Sequence, residues 1–66
     1  MKVVINGETK ELEQNLNLRE LLEKLDFPTE RIAIELNKNV VRKKDWEDRT
    51  ISDEDKIEII HFVGGG

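Results

Sequence analysis

Leu18, Leu21, Leu22 and Leu25 recur at the three- and four-residue steps of a helix in "LNLRELLEKLDFP", while the other apolar runs of the chain alternate. That contrast constrains the fold more than any other feature. One amphipathic helix carries one apolar stripe, and the alternating runs must supply the surface that covers it. The start of the helix is well marked. Asn17 is a good N-cap, Glu20 completes a capping-box pattern, and Leu16 and Leu21 are spaced as a hydrophobic staple. Pro28 disfavours helix at Phe27, so the helix is placed at 18–26.

The flanking runs read as strands. "KVVINGETKEL" holds Asn6-Gly7, the preferred pair for a type I′ turn, between two extended stretches. It predicts a hairpin of residues 1–5 and 8–13, with Met1, Val3 and Ile5 on one face. "RIAIELN" sets Ile32, Ile34 and Leu36 against Arg31, Ala33 and Glu35, and "NVV" at 39–41 follows a tight turn at Asn37 to Asn39. "RKKDWEDRTISDEDK" is polar and irregular, with Trp46 and Ile51 as its anchors to the core. A last strand spans 56–63. The order β-β-α-β-β-β gives an α+β domain, a mixed sheet of four to five strands packed on one helix. The first and last strands are the most apolar and are expected side by side at the centre. That arrangement is the β-grasp, or ubiquitin-like, fold. Fold alone does not give function.

Sixty-six residues make one small domain, which buries only about 60% of the surface of its unfolded chain. The sequence has no Cys and one His, His61. Disulfides, thiolate metal sites and a Cys nucleophile are therefore excluded, and His61 has no neighbours in sequence that complete a catalytic or metal set. The acids of "DEDK" and "DWED" lack Ca²⁺-loop spacing. Fifteen acids against eleven bases give a net charge of −4, which argues against a nucleic-acid or anionic-membrane partner. The basic cluster Arg42 to Lys44 is neutralised by the acids that follow it and reads as a solvated loop. The opening apolar run is too short for a signal peptide or a membrane span, and Gly7 breaks it. A cytoplasmic, soluble protein is expected, monomeric when free.

The end of the chain, "HFVGGG", is poor material for either strand or helix. The domain is set at 1–63, and Gly64, Gly65 and Gly66 are read as a flexible tail. In the last strand Ile57 and Ile59 are assigned to the core. Ile60 and Phe62 then lie exposed on the open face of the sheet beside Val63 and the tail, with small Ala33 leaving the patch accessible for a docking partner. Three extended glycines reach about 10 Å, as a thread thin enough for a channel that no side chain would pass. At its tip is an α-carboxylate, ionised at neutral pH because its pKa is about 3.5. A carboxylate on a thin arm suits a substrate delivered into another enzyme's active site, where attack on the α-phosphate of ATP gives an acyl-adenylate.

"VVINGE", "RIAIELNKNVVRKKDW" and "IEIIHFVGGG" together resemble the ThiS family, the sulfur carriers of thiamin biosynthesis, over nearly the whole chain. The diglycine end is shared by all ubiquitin-like carriers; the third glycine does not alter the terminal carboxylate. The resemblance implies that a ThiF-type adenylating enzyme uses ATP-Mg to activate the Gly66 carboxylate. A protein persulfide then supplies sulfur to give a thiocarboxylate, and thiazole synthase (ThiG) takes that sulfur into the thiazole ring. The carrier would bind no cofactor itself and contribute no acid, base or metal. Three alternatives stay open: a MoaD-type carrier for molybdopterin, a ubiquitin-like modifier, and a β-grasp interaction module whose tail is inert.

Overall fold

The computed structural model describes residues 1–62; Val63, Gly64, Gly65 and Gly66 lie outside the described residues. Seven elements follow one another: β1 (Lys2–Ile5), β2 (Glu8–Glu11), α1 (Leu18–Lys24), β3 (Ile32–Leu36), β4 (Asn39–Val41), a 3₁₀ helix (Lys43–Asp48) and β5 (Lys56–His61). The strands form one mixed sheet in the order β2-β1-β5-β3-β4. β5 is central. It runs parallel to β1, with Ile5 beside Ile57, and antiparallel to β3, with Ile34 beside Ile59. The expected adjacency of the first and last strands is met, and the sheet has five strands among the described residues.

The core lies between one face of this sheet and α1. Val3 and Ile5, then Ile32, Ile34 and Leu36, then Ile57 and Ile59 supply the alternate buried positions of three strands. Leu18, Leu21 and Leu22 supply the helix stripe, with Leu16, Leu25 and Phe27 packed at its margin. α1 starts as the sequence predicts. Asn17 Oδ1 accepts from the Glu20 backbone N–H at 2.8 Å, and Glu20 Oε1 accepts from the Asn17 N–H at 3.0 Å, so two otherwise orphaned donors are satisfied reciprocally.

The end of α1 differs from the expectation. The helix stops at Lys24, two residues early, because Asp26 takes a left-handed φ of 62°. The Asp26 N–H then bonds Glu23 O at 3.1 Å and the Phe27 N–H bonds Leu22 O at 2.9 Å. That is the Schellman pattern, in which the left-handed position is usually Gly. Pro28 lies beyond a helix that has already been closed.

Three further boundaries are corrected. β2 ends at Glu11 rather than 13, and Leu12 turns inward beyond it, its N–H bonded to Met1 O at 2.7 Å. β5 ends at His61; the rest of the expected strand includes Val63, outside the described residues. The stretch expected to be irregular forms the 3₁₀ helix. Its anchor is Trp46, 1% exposed, whose indole Nε1–H donates to Val41 O at 3.0 Å. Ile51, the other expected anchor, is buried. Its N–H bonds Leu16 O at 2.8 Å, and the Leu18 N–H bonds Arg49 O at 3.0 Å, which ties this segment to the start of α1. Among the described residues no helix is long and apolar enough to cross a membrane.

Candidate functional site

β5 is apolar on both faces at one end only. Its core face carries Ile57 and Ile59. Its open face begins with charged residues, Lys56 and Glu58, then changes to Ile60 and Phe62. Ile60 is 42% exposed and Phe62 is 54% exposed. Ala33 of β3 lies directly opposite Ile60 and is half-buried, so no large side chain stands over that position. Ile60 and Phe62 form an exposed apolar patch at the end of β5, with Ala33 across from Ile60. Phe62 is secured on the β3 side, where its N–H donates to Arg31 O at 2.8 Å. Arg31 has a left-handed φ of 58°, an uncommon conformation for a long side chain. The remaining expected site residues, Val63, Gly64, Gly65 and Gly66, lie outside the described residues.

Next to the apolar pair, Glu35 and Glu58 stand directly opposite each other on the same face. Like charges at opposed sheet positions repel. The open face of β5 therefore carries an unfavourable acidic step followed by an unfavourable apolar step.

Val40 is a third large apolar residue in the open, 70% exposed. It lies on β4 opposite Glu35 and was not singled out by sequence reasoning. The signal was present: in a three-residue strand whose last Val is buried, the Val before it must face the other way. Val40 also borders a shallow depression of about 430 Å³ between β4 and the 3₁₀ helix, lined by Val41, Arg42, Asp45, Asp48 and Arg49. This depression lies at β4, the edge strand of the sheet.

Among the described residues no group of three or more His, Cys, Asp or Glu side chains is placed to hold a metal ion. His61 is exposed at the end of β5, opposite Ile32. Among the described residues, Glu13 has its carboxyl held away from the ordinary range. A hydrogen bond from Lys24, reinforced by the lysine's charge, keeps it low, and it lies on the helix side rather than at the patch.

Residues 3–66 match the family model described as the ThiS family. The chain is 44% identical to the uncharacterized protein ycf40 of Porphyra purpurea over 66 residues, which is all of this chain and 93% of that protein. It is 39% identical to a thiazole synthase of Magnetococcus marinus, again over its full length, but spans only 20% of that protein. It is 35% identical to the sulfur carrier protein ThiS of Bacillus subtilis, over 74% of each chain. Among solved structures it superimposes on the crystal structure of the thiamine biosynthesis protein ThiS from Geobacter metallireducens. There the TM-score is 0.89 and the identity 32%, with both chains covered completely.

Proposed function

The chain belongs to the ThiS family of sulfur carriers in thiamin biosynthesis, and from that premise we propose that Gly66 bears the sulfur as a C-terminal thiocarboxylate. One observation supports this most: the open face of β5 turns apolar at Ile60 and Phe62, immediately before Val63 and the three glycines. A partner that covers Ile60, Phe62, Val63 and Ala33 receives the tail at its own active site.

The chemistry follows from the carboxylate. A carboxylate oxygen of Gly66 attacks the α-phosphate of ATP-Mg on a ThiF-type adenylating enzyme, and pyrophosphate leaves. The terminal sulfur of a protein persulfide then attacks the acyl carbon, and AMP leaves. A thiol reduces the resulting acyl disulfide and releases the thiocarboxylate. Its soft, ionised sulfur is passed to a thiazole synthase of the ThiG type, and the similarity to a stretch of the Magnetococcus marinus thiazole synthase favours that acceptor. Tethering the sulfur to a docked domain makes its delivery effectively intramolecular. The carrier is acted on in each step and supplies neither catalyst nor cofactor; we place it in the cytoplasm, free as a monomer.

The test is intact mass after incubation with ATP, Mg²⁺, a sulfide source and a ThiF-type enzyme. The expected gain equals exchange of one oxygen for one sulfur and is absent when Gly66 is deleted. Ile60→Ser with Phe62→Ser should keep the fold and raise KM for the carrier. No mass change with an enzyme active on its own carrier refutes the proposal.

A further inference from the structure

Two asparagines at hairpin turns do more than turn the chain. Asn6 and Gly7 have φ of 50° and 82°, and Asn37 and Lys38 have φ of 51° and 72°, as a type I′ turn requires. Each asparagine also reaches across to β5. At Asn37, the backbone N–H donates to Lys56 O at 2.7 Å and the side-chain Oδ1 accepts from the Lys56 N–H at 2.9 Å. At Asn6, the backbone N–H donates to Ile57 O at 2.9 Å. Its side-chain Oδ1 accepts from the Ile59 N–H at 2.8 Å, and Nδ2 donates to Ile59 O at 3.3 Å.

The two grips differ in where they fall. β1 ends at Ile5 and the chain turns away at Asn6 and Gly7, while β5 continues to His61. On its β1 flank, then, β5 outruns its neighbour. The Asn6 amide stands in for the missing strand residue, offering one acceptor and one donor to the main chain of Ile59. Beyond it, β5 is held by β3 through the Ile32–His61 and Ala33–Ile60 pairs and the Phe62–Arg31 bond. Asn37 grips only the first residue of β5.

We infer that Asn6 is a positioning residue: its side chain fixes the end of β5, and so the Ile60–Phe62 patch, in the form a partner docks against. The docking half of this inference rests on the carrier reading given above. Without the amide, the end of β5 frays on one side. The partner must then order it on binding, so affinity falls while the rate from the bound complex does not.

The test compares wild type with Asn6→Gly and Asn37→Gly. Glycine accepts the positive φ at both sites, so both variants keep the turn and lose the side-chain bonds, which at Asn37 include one from Nδ2 to Asp55 Oδ1 at 3.0 Å. A net hydrogen bond corresponds to about 2- to 10-fold in a local opening equilibrium, so the two at Asn6 correspond to roughly 5- to 100-fold. Amide exchange of Asn6→Gly should show the Ile59 amide losing protection by that factor, and Asn37→Gly should show the loss at Lys56 instead. With a ThiF-type enzyme, Asn6→Gly should raise KM for the carrier by about 5-fold or more, with kcat unchanged. Asn37→Gly should leave KM as in wild type. A protected Ile59 amide in Asn6→Gly overturns the grip. Equal KM effects from the two variants overturn the positioning role. If the wild-type chain is not activated at all, the carrier reading and the docking consequence fall together, and the exchange data alone decide the grip.

Discussion

Replacing Asp26 by Gly should stabilise the domain, although it removes a side chain from the end of α1. Asp26 occupies the left-handed position of the Schellman closure, at φ 62°. That conformation costs an L-residue about 1–2 kcal/mol, and Asp stands at the lower end because it tolerates the region. Glycine removes about 1 kcal/mol of strain, against about 0.4–1 kcal/mol for the freedom it adds to the unfolded chain. Removing a negative charge from a helix C-terminus adds about 0.3 kcal/mol, the low end of the range, since α1 has seven residues. The net gain is about 0.6 kcal/mol, which for a domain of this size raises Tm by roughly 2–5 °C. Asp26→Asn separates the contributions, because it removes the charge and keeps the left-handed tolerance. It should gain about 0.3 kcal/mol, and lose that gain in about 1 M salt, where charges are screened beyond ~3 Å. Asp26→Ala should fall below wild type, because Ala has no such tolerance. Urea melts with a common m-value give the order directly. The expected order is Gly, Asn, Asp, Ala from most to least stable. A Gly variant no better than Asn would refute the strain argument, and a Gly variant below wild type would refute the whole account of this helix end.

Three other perturbations read other parts of the fold. Trp46→Phe loses the indole bond to Val41 O and leaves a void under the 3₁₀ helix; urea denaturation should show a loss of about 2–4 kcal/mol. Glu58→Thr relieves the repulsion from Glu35 directly opposite, and should raise stability by about 0.2–1 kcal/mol at low salt, with a smaller gain at high salt. Lys24 holds the Glu13 carboxyl below its ordinary range, so the stability this pair contributes is present above the unfolded Glu pKa of about 4.3 and lost as pH falls through the folded value. Glu13 is exposed, so the effect is small: the urea midpoints of wild type and Glu13→Gln should differ most above about pH 5 and converge in acid.

What the sequence could show was set by how local each feature is. The capping box needs only Asn17 and Glu20, three residues apart, and it is found as read. The Asn6-Gly7 turn is equally local. The exposure of Ile60 and Phe62 follows from strand alternation once Ile57 and Ile59 are given to the core. The end of α1 was misplaced because Asp26 does what Gly commonly does, while the more visible marker, Pro28, lies two residues on. The 3₁₀ helix was invisible for a different reason. Lys43–Asp48 has no apolar period, only Trp46, and its conformation is decided by the indole reaching Val41 O and by the bonds that tie residues 49–51, just after it, to residues 16–18. The Asn6 grip could not be read at all, since it joins residues 53 apart and exists only because β1 and β5 lie parallel.

The open face of β5 is best understood by asking what the isolated domain gains from it. The helix-side face already holds the core, and Lys56 shows that the strand accepts a charged residue on its open side. Thr or Ser at 60 and 62 would satisfy the same alternation and remove exposed apolar surface. Glu35 and Glu58, one step away, likewise repel each other without any return to the fold. Neither the apolar pair nor the acidic pair helps these residues become a β-grasp, and both are unfavourable in water. Glu58, Ile60 and Phe62 follow one another on the open side of β5, with Glu35 beside Glu58 on β3, and Asn6 braces β5 from the side where its neighbour has turned away. Features that weaken the free domain, clustered along the open side of its central strand and the facing position of β3, and held in register by a dedicated side chain, make sense for a surface whose proper environment is another protein.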